Sequence, residues 1–235
     1  MQTKKIFYIS FIFTILLLTI DNQLFAQTNT VDSTFNQLDK LQQKKIKKFW
    51  NWVIKNENQL SKPFTYPETQ IDMINKLSEI NPELQYTMDV EKSIYKLTIT
   101  CGTNKNLIPL VNSIVVNAPK LSFCEVVAFK QRENIPDSLF FDSAILFAKD
   151  LKIYITNDHY KLHFQIFVNN YSKKDYRIDK MVMDYLKLSL GEYSLMTDVG
   201  SINIEFSENF RVYMQTTSIT NLYEKVQEEK KMFYR

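Results

Sequence analysis

The chain has 235 residues, with 29 Lys and Arg against 26 Asp and Glu, which gives a formal net charge of +3. A surface that binds duplex nucleic acid usually needs a marked basic excess, so this near balance argues against nucleic acid as the main partner. Only 3 residues are glycine, and neither a GxGxxG nor a GxxxxGK[ST] pattern occurs. The sequence therefore predicts neither a phosphate-binding loop nor a cofactor.

Residues 1–26 have the pattern of a secretory signal peptide that is removed after export. An early pair of lysines precedes an uncharged apolar run over 6–20, and Ala26 is small enough to precede a signal-peptidase cut. The alternative is an uncleaved anchor, but the run of about 15 residues is shorter than the roughly 20 that a spanning helix needs. We expect a bacterial periplasmic or secreted protein that starts at Gln27 and has no stable membrane span after cleavage.

The start of the mature chain has a helical pattern. Apolar residues between positions 32 and 60 recur at spacings of three and four, and lysines fall between them on what should be a solvated face. We expect residues 27–48 to be a helical extension that leads into the main domain. The apolar stripe consists of Phe35, Leu38, Leu41, Ile46, Phe49, Trp50, Val53, Ile54 and Leu60.

Two further elements follow a loop bracketed by prolines. A short helix is expected over 68–80, because Ile71 and Ile74 recur with two later apolar residues on one side. A strand is expected over 94–101, since apolar and polar residues alternate there as in a strand with one buried face. The polar members of this alternation are Lys96, Thr98 and Thr100.

The remaining elements fall into two halves of similar order. A helix over 106–117 and a strand over 122–129 complete the first half, and residues 130–147 read as a connection or an edge strand between the halves. Gly191 should end the helix of the second half, as glycine often does just past a helix C-terminus. The second half is predicted to contain strands over 151–156, 160–168, 193–197 and 201–206, and helices over 175–190 and 220–233.

This order predicts an α+β fold, in which two tandem β-β-α-β units form mainly antiparallel sheet after the N-terminal helices. The α+β domain is expected over 49–210, with an internal duplication of 84–129 in 151–206, and a C-terminal helix over 211–235. The tripeptide Tyr-Lys-Leu at 95–97 recurs at 160–162, which supports the duplication. The alternative is chance, because the tripeptide is short and the β-β-α-β order is common.

Several short motifs resemble those of an uncharacterised bacterial domain family, which has an FWxW…NE aromatic helix and a GEY…VGxI strand pair. The resemblance covers about 49 to 206, and it implies a domain outline without chemistry, because the family has no assigned activity. The chain departs from the family in its signal peptide and in the stretch before Phe49. The motifs are Phe49-Trp50-Asn51-Trp52, Asn56-Glu57, Asn81-Pro82-Glu83-Leu84, Ala118-Pro119, Val126-Val127-Ala128-Phe129, Gly191-Glu192-Tyr193 and Val199-Gly200-Ser201-Ile202.

Four residues are predicted as a binding site. Glu57 falls in the apolar stripe near the C-terminal end of the aromatic helix, where the helix dipole does not favour a carboxylate. Trp52 falls on the opposite side, Asn56 lies beside both, and Glu192 follows Gly191. The alternative roles are structural. Glu57 would bond to the loop at 61–66, Trp52 would pack on the N-terminal extension, and Glu192 would be the solvated start of a strand.

No catalytic residue and no metal ligand is predicted. His159 and His163 should lie on one side of a strand with Asp158 adjacent, as exposed imidazoles, because no further metal ligands stand at a suitable spacing. Nucleophile signatures such as GxSxG are absent. Cys101 and Cys124 are expected to be buried free thiols, and the alternative is a disulfide in an oxidising compartment.

The preferred function is a non-catalytic binding or interaction module of the cell envelope, with an unknown protein or small molecule as its partner. The alternative is a carboxylate-dependent, hydrolase-like enzyme, and a third hypothesis is a structural or assembly role in the envelope. An open sheet face would favour the binding module, whereas acids around one deep pocket would favour the enzyme.

Overall fold

The protein has an α+β fold with mainly antiparallel strands, as predicted. The chain divides into two compact units, Met1–Ala128 and Phe129–Arg235, which are described separately. The predicted signal peptide, residues 1–26, and residues 27–37 of the predicted N-terminal extension lie outside the described residues. Within the described residues, no helix is long and apolar enough to cross a membrane. The computed structural model describes residues 38–62, 65–91, 94–171, 175–207 and 215–233.

The described part of unit 1 begins with three helices. Asp39 starts the first of them, since its side chain accepts a hydrogen bond from the Gln42 N–H at 2.7 Å, as a helix N-cap does. The helices are α1 Lys40–Lys55, α2 Glu57–Leu60 and α3 Pro67–Ser78. The buried residues of α1 are Ile46, Phe49, Trp50 and Val53, all of which belong to the predicted stripe.

The predicted apolar faces are wrong in part. The stripe was expected to run through one helix, but α1 ends at Lys55, and Leu41 and Ile54 are 63% and 47% exposed. On α3, Ile71 and Ile74 are exposed, whereas Thr69, Met73 and Leu77 are buried. Both rows of α3 have helical spacing, so only its packing against the rest of unit 1 decides which row is covered.

The sheet of unit 1 contains three strands in the order β1-β2-β3. The first two strands form an antiparallel hairpin, and β3 pairs in parallel with β2 after the helix α4, Ile108–Val116. Thr98 and Thr100 are 3% and 5% exposed, so the predicted open face of β2 is wrong at this end, and the strand is buried on both faces there. The strands are β1 Gln85–Glu91, β2 Ile94–Thr100 and β3 Cys124–Ala128.

Unit 2 contains a two-stranded hairpin and a four-stranded sheet in the order β8-β7-β6-β9. The hairpin lies in the segment 130–147, for which the sequence shows no regular pattern. Its strands are β4 Ser138–Phe141 and β5 Ala144–Phe147. The sheet consists of β6 Leu151–Asn157, β7 Leu162–Asn169, β8 Val199–Ser207 and β9 Thr217–Ser218. The helices are α5 Tyr176–Leu190, α6 Glu192–Asp198 and α7 Leu222–Phe233.

Gly191 ends α5, which confirms that prediction, but the strand predicted over 193–197 is wrong. Gly191 has φ +77° and ψ 155°, a conformation that glycine adopts without steric strain. This turn lets a new helix start directly, and Glu192 stands at its first position, where an acidic side chain suits the helix dipole. Tyr160 was expected to start the strand over 160–168, but it lies in the turn before β7 and is 85% exposed.

One face of the four-stranded sheet forms the core of unit 2. Alternate residues of β6 and β7 pack there against α5 and α7, with Tyr185 and Val226 among the buried contacts. As in unit 1, the hairpin β6–β7 is antiparallel and β8 pairs in parallel with its second strand. The strands β6, β7 and β8 therefore have the same order and directions as β1, β2 and β3, whereas β9 extends only the sheet of unit 2, and the internal duplication of 84–129 in 151–206 stays a prediction.

Candidate functional site

Three of the four predicted site residues lie together where α1 ends. Asn56 follows the last residue of α1, and its Nδ2 donates a hydrogen bond to the Trp52 carbonyl at 2.8 Å. The backbone N–H of Asn56 donates to the same carbonyl at 3.1 Å. The Trp52 side chain is half-buried. Asn56 thus satisfies a carbonyl of the last turn, which has no partner inside the helix.

Glu57 lies just past the C-terminal end of the aromatic helix, near which the sequence placed it, because α1 ends at Lys55 and α2 starts with Glu57. Its Oε1 accepts hydrogen bonds from the N–H and the Oγ–H of Ser122, at 2.6 and 2.7 Å. Both bonds stabilise the charged form, so they hold the pKa of Glu57 below its ordinary value. The side chain thus binds a residue beyond α4 rather than the loop at 61–66.

Glu192 lies in unit 2 and is 4% exposed. The alternative structural role predicted for it, the solvated start of a strand, is therefore wrong. Its N–H donates to the Lys130 carbonyl at 2.8 Å, and its Oε2 accepts from the Lys130 N–H at 3.1 Å. These two bonds join the start of α6 to the segment that enters unit 2. The binding role of all four residues stays a prediction.

A second cluster, which the sequence did not predict as a site, lies at one end of the four-stranded sheet of unit 2. Asp158 stands in the turn between β6 and β7, where its Oδ1 accepts from the N–H groups of Tyr160 and Lys161 at 3.0 and 2.7 Å. These backbone bonds, together with a bond from His163, lower the pKa of Asp158 to about 2. Asp158 is therefore a carboxylate at neutral pH.

His163 lies between two polar groups. Its Nε2 is 3.1 Å from Asp158 Oδ2, and its Nδ1 is 2.8 Å from Ser201 Oγ. A carboxylate only accepts hydrogen bonds, so Nε2 must carry the proton that joins the ring to Asp158. In the neutral imidazole Nδ1 then has a lone pair, and it accepts the hydroxyl proton of Ser201. The three side chains form one chain of hydrogen bonds, Ser201 to His163 to Asp158.

The imidazole of His163 occupies space that a side chain on residue 200 would fill, and residue 200 is a glycine. The pairing of β7 with β8 shifts register here, since Leu162 lies opposite Val199 and His163 lies opposite Ser201, which leaves Gly200 as the extra residue. A Cβ on Gly200 would lie 2.7 Å from His163 Cε1 and 2.9 Å from Lys161 Cβ. Any other residue at this position would therefore displace the ring or the strand.

The expected pair of imidazoles on one strand face is wrong. His159 has φ +71° and lies in the turn, so only His163 is on β7. Ser201 is 38 residues further along the chain, and no local motif marks it. Among the described residues, no group of three or more His, Cys, Asp or Glu side chains could hold a metal ion.

The cluster belongs to a larger surface, the polar sheet face, on the side of the sheet opposite the core. Within it, Gln165 Nε2 donates to Glu205 Oε1 at 2.8 Å, and Thr156 and Ser201 stand on either side of His163 in the strand register. Thr156, Ser201, Asn203 and Glu205 are exposed, and the rest are half-buried. The polar sheet face consists of Lys152, Tyr154, Thr156, His163, Gln165, Ser201, Asn203 and Glu205, with Asp158 at its edge, and the buried Phe167 lies on the same side, opposite Lys152 and Glu205.

Comparison of the chain with models of protein families, with curated proteins and with solved structures finds no match. The resemblance to the uncharacterised bacterial domain family thus gains no support from these comparisons.

Proposed function

We propose that the mature protein is a binding or interaction module of the bacterial cell envelope, and that it binds a partner protein on the polar sheet face of unit 2. The observation that carries this proposal is the asymmetry of the four-stranded sheet. One face packs against helices as a continuous apolar core, whereas the other presents hydroxyl, amide and imidazole groups around His163 and has the buried Phe167 further along β7. The export signal predicted over 1–26 supports the envelope as the compartment.

A protein is a better partner for this surface than a small molecule. Small-molecule sites are concave and mostly apolar, whereas the polar sheet face is an open surface with hydrogen-bonding groups on three adjacent strands. Charge does not dominate it, since Lys152 and Glu205 are opposite in sign and Thr156, Gln165 and Asn203 are uncharged. We therefore expect a partner whose own surface is polar and that binds through hydrogen bonds more than through charge.

The alternative function, a carboxylate-dependent hydrolase, would need two carboxylates that face one substrate position. Glu57 and Glu192 have the most distinctive environments among the acids singled out from the sequence. They are held by Ser122 and by the backbone of Lys130, in different units. Neither contact arranges a pair of carboxylates around a substrate, so we prefer the binding function.

Site-specific photo-crosslinking tests the proposal. A crosslinking amino acid is placed at Thr156 or Asn203, which are exposed on the polar sheet face, and at Glu228 as an exposed control on α7. Expression in the native envelope should give one defined crosslinked protein from the first two positions and none from the control. The purified partner should then bind the mature protein, and Asn203→Arg should weaken that binding.

Equal crosslinking at all three positions, or crosslinking only at Glu228, would contradict the proposed surface. Recovery of the chain in the cytoplasmic fraction with residues 1–26 still attached would contradict the proposed compartment. The two results are independent, because the first concerns the surface and the second concerns export.

A further inference from the structure

We propose that Ser201 is a nucleophile, that His163 is its general base, and that this pair reacts with acyl esters at the protein surface. The inference goes beyond the binding role and does not depend on it. It rests on the chain of hydrogen bonds from Ser201 Oγ through the His163 ring to Asp158, at 2.8 and 3.1 Å. A serine bonded to a base that a third group orients is the arrangement that activates a hydroxyl for attack.

Each member of the chain is held by local backbone structure. Asp158 is fixed by the N–H groups of its own turn, Ser201 is fixed by the parallel pairing of β8 with β7, and the ring lies over Gly200. The hydrogen bond from Nε2 to Asp158 sets the tautomer, so the lone pair on Nδ1 is directed at the hydroxyl. The side chains therefore do not need to reorganise before proton transfer.

The acylation step needs no reactant besides Ser201, His163 and the ester. Ser201 Oγ forms a bond to the ester carbonyl carbon, its proton passes to His163 Nδ1, and Asp158 stabilises the imidazolium that results. The carbon–oxygen bond to the alcohol then breaks, and the proton on Nδ1 passes to the departing oxygen. Water afterwards attacks the acyl-serine and gives its proton to Nδ1, which returns it to Ser201 as the carboxylic acid leaves.

The solvent exposure of Ser201 and His163 determines which esters can react. The Ser201 side chain is exposed and the His163 side chain is 34% exposed, so an ester carried on another surface or a small activated ester can reach the hydroxyl. General-base assistance by one side chain contributes about 10²- to 10⁴-fold. We therefore expect slow acylation, most easily observed as covalent labelling of Ser201.

The charged groups around His163 define the pH response. Asp158 contacts the ring, Lys161 directs its ammonium to the Thr197 carbonyl, and Glu205 lies four residues beyond Ser201 on β8. From β6, the uncharged Thr156 lies opposite His163. Only the neutral form of an imidazole can accept a hydroxyl proton, so the labelling rate should rise with pH.

The test uses the mature protein with a fluorophosphonate probe and with p-nitrophenyl acetate, followed by intact mass and peptide mapping. Ser201 should be the main labelled serine, and Ser201→Ala should remove the label. His163→Gln should slow labelling by about 10²-fold or more, which is the loss of general-base assistance. Asp158→Asn should slow it less, and Ser218→Ala, on β9 of the same sheet, should leave it unchanged.

Three results would overturn the inference. The first is labelling of Ser201 no faster than labelling of Ser218, the second is a rate that His163→Gln leaves unchanged, and the third is a rate that does not respond to pH. The pH profile is measured on the wild-type protein, so it decides the matter even when the His163→Gln variant does not fold. Crosslinking of a partner is a separate measurement, and its outcome does not alter this one.

Discussion

Glu57 and Ser122 are 65 residues apart in the chain, and one carboxylate oxygen of Glu57 accepts both the N–H and the Oγ–H of Ser122. The bond pair joins the start of α2 to the residues just before β3. It therefore connects the N-terminal helices of unit 1 to its sheet. The contact is specific to the charged form, because an amide in place of the carboxylate accepts such bonds more weakly.

The first prediction concerns the pH dependence of this contact. The pKa of Glu57 is lowered in the folded protein, so its stabilising effect is present above the unfolded-state pKa and is lost as pH falls through the folded pKa, below 4.5. Glu57→Gln should lower the Tm at neutral pH, and the gap to wild type should close in acid. Thermal melts from pH 7 to 3 measure this, with the exposed Glu68→Gln as control. A gap that stays constant with pH would contradict the prediction.

The second prediction concerns Trp50, whose Nε1 donates to the Ile114 carbonyl at 2.9 Å in a buried contact. Ile114 lies in the last turn of α4, where carbonyls lack helical partners, so Trp50→Phe leaves this acceptor unsatisfied. The expected cost is about 1–3 kcal/mol of unfolding free energy, measured by urea titration. The half-buried Trp52→Phe on the same helix is the control and should cost less. Equal losses of unfolding free energy in the two variants would show that the hydrogen bond from Trp50 Nε1 contributes nothing measurable.

The third prediction compares two glycines. Gly191 has φ +77°, and an added Cβ would lie 3.3 Å from the Arg132 nitrogen and 3.4 Å from the Lys130 carbonyl oxygen. Gly191→Ala should therefore cost about 1–3 kcal/mol through backbone strain, with crowding against those backbone atoms added. Gly102 has φ +60° with no heavy atom within 4 Å of the same position, so Gly102→Ala should cost only roughly 1 kcal/mol. Chemical denaturation of both variants tests the order, and the reverse order would refute it.

The fourth prediction is that Cys101 and Cys124 are not bridged. Cys124 lies opposite Tyr95 in the pairing of β2 with β3, and Cys101 follows the far end of β2. Six residues of strand span about 20 Å, beyond the roughly 7 Å that a disulfide allows between Cα atoms. Labelling of the unfolded, unreduced mature protein should find both thiols, and no labelling would mean a bridge.

The native protein should react slowly at Cys124 in the same experiment. Burial, with a smaller contribution from the charge of Glu57, raises the pKa of Cys124 to about 12, so little thiolate is present at neutral pH. Fast labelling of Cys124 in the folded protein at pH 7 would contradict this.

The fifth prediction is that export removes residues 1–26. The early lysines, the apolar run over 6–20 and Ala26 together form the pattern that signal peptidase reads. The intact mass of the exported protein should equal that of a chain whose first residue is Gln27. A mass that retains residues 1–26, recovered in the membrane fraction, would show an anchor instead.

Element types followed from the sequence where the pattern was local. The alternation in β7 and the helical spacing in α5, with Gly191 at its end, were sufficient because a strand or a helix covers one face at a characteristic period. The α+β class followed from their order. Residues 193–197 were wrongly assigned to a strand. The segment is too short for the spacing of its large residues to distinguish the period of a strand from that of a helix.

The environments of single residues were decided by tertiary structure. The sequence placed Glu57 in the apolar stripe of a helix, because nothing in its neighbours shows that α1 ends before it or that Ser122 lies within reach. The same holds for His163 and Ser201, which meet only because β8 pairs in parallel with β7 and Gly200 shifts the register. Periodicity along the chain specifies which face of an element is apolar, but packing alone determines which distant residue faces it, because that contact depends on how whole elements are placed.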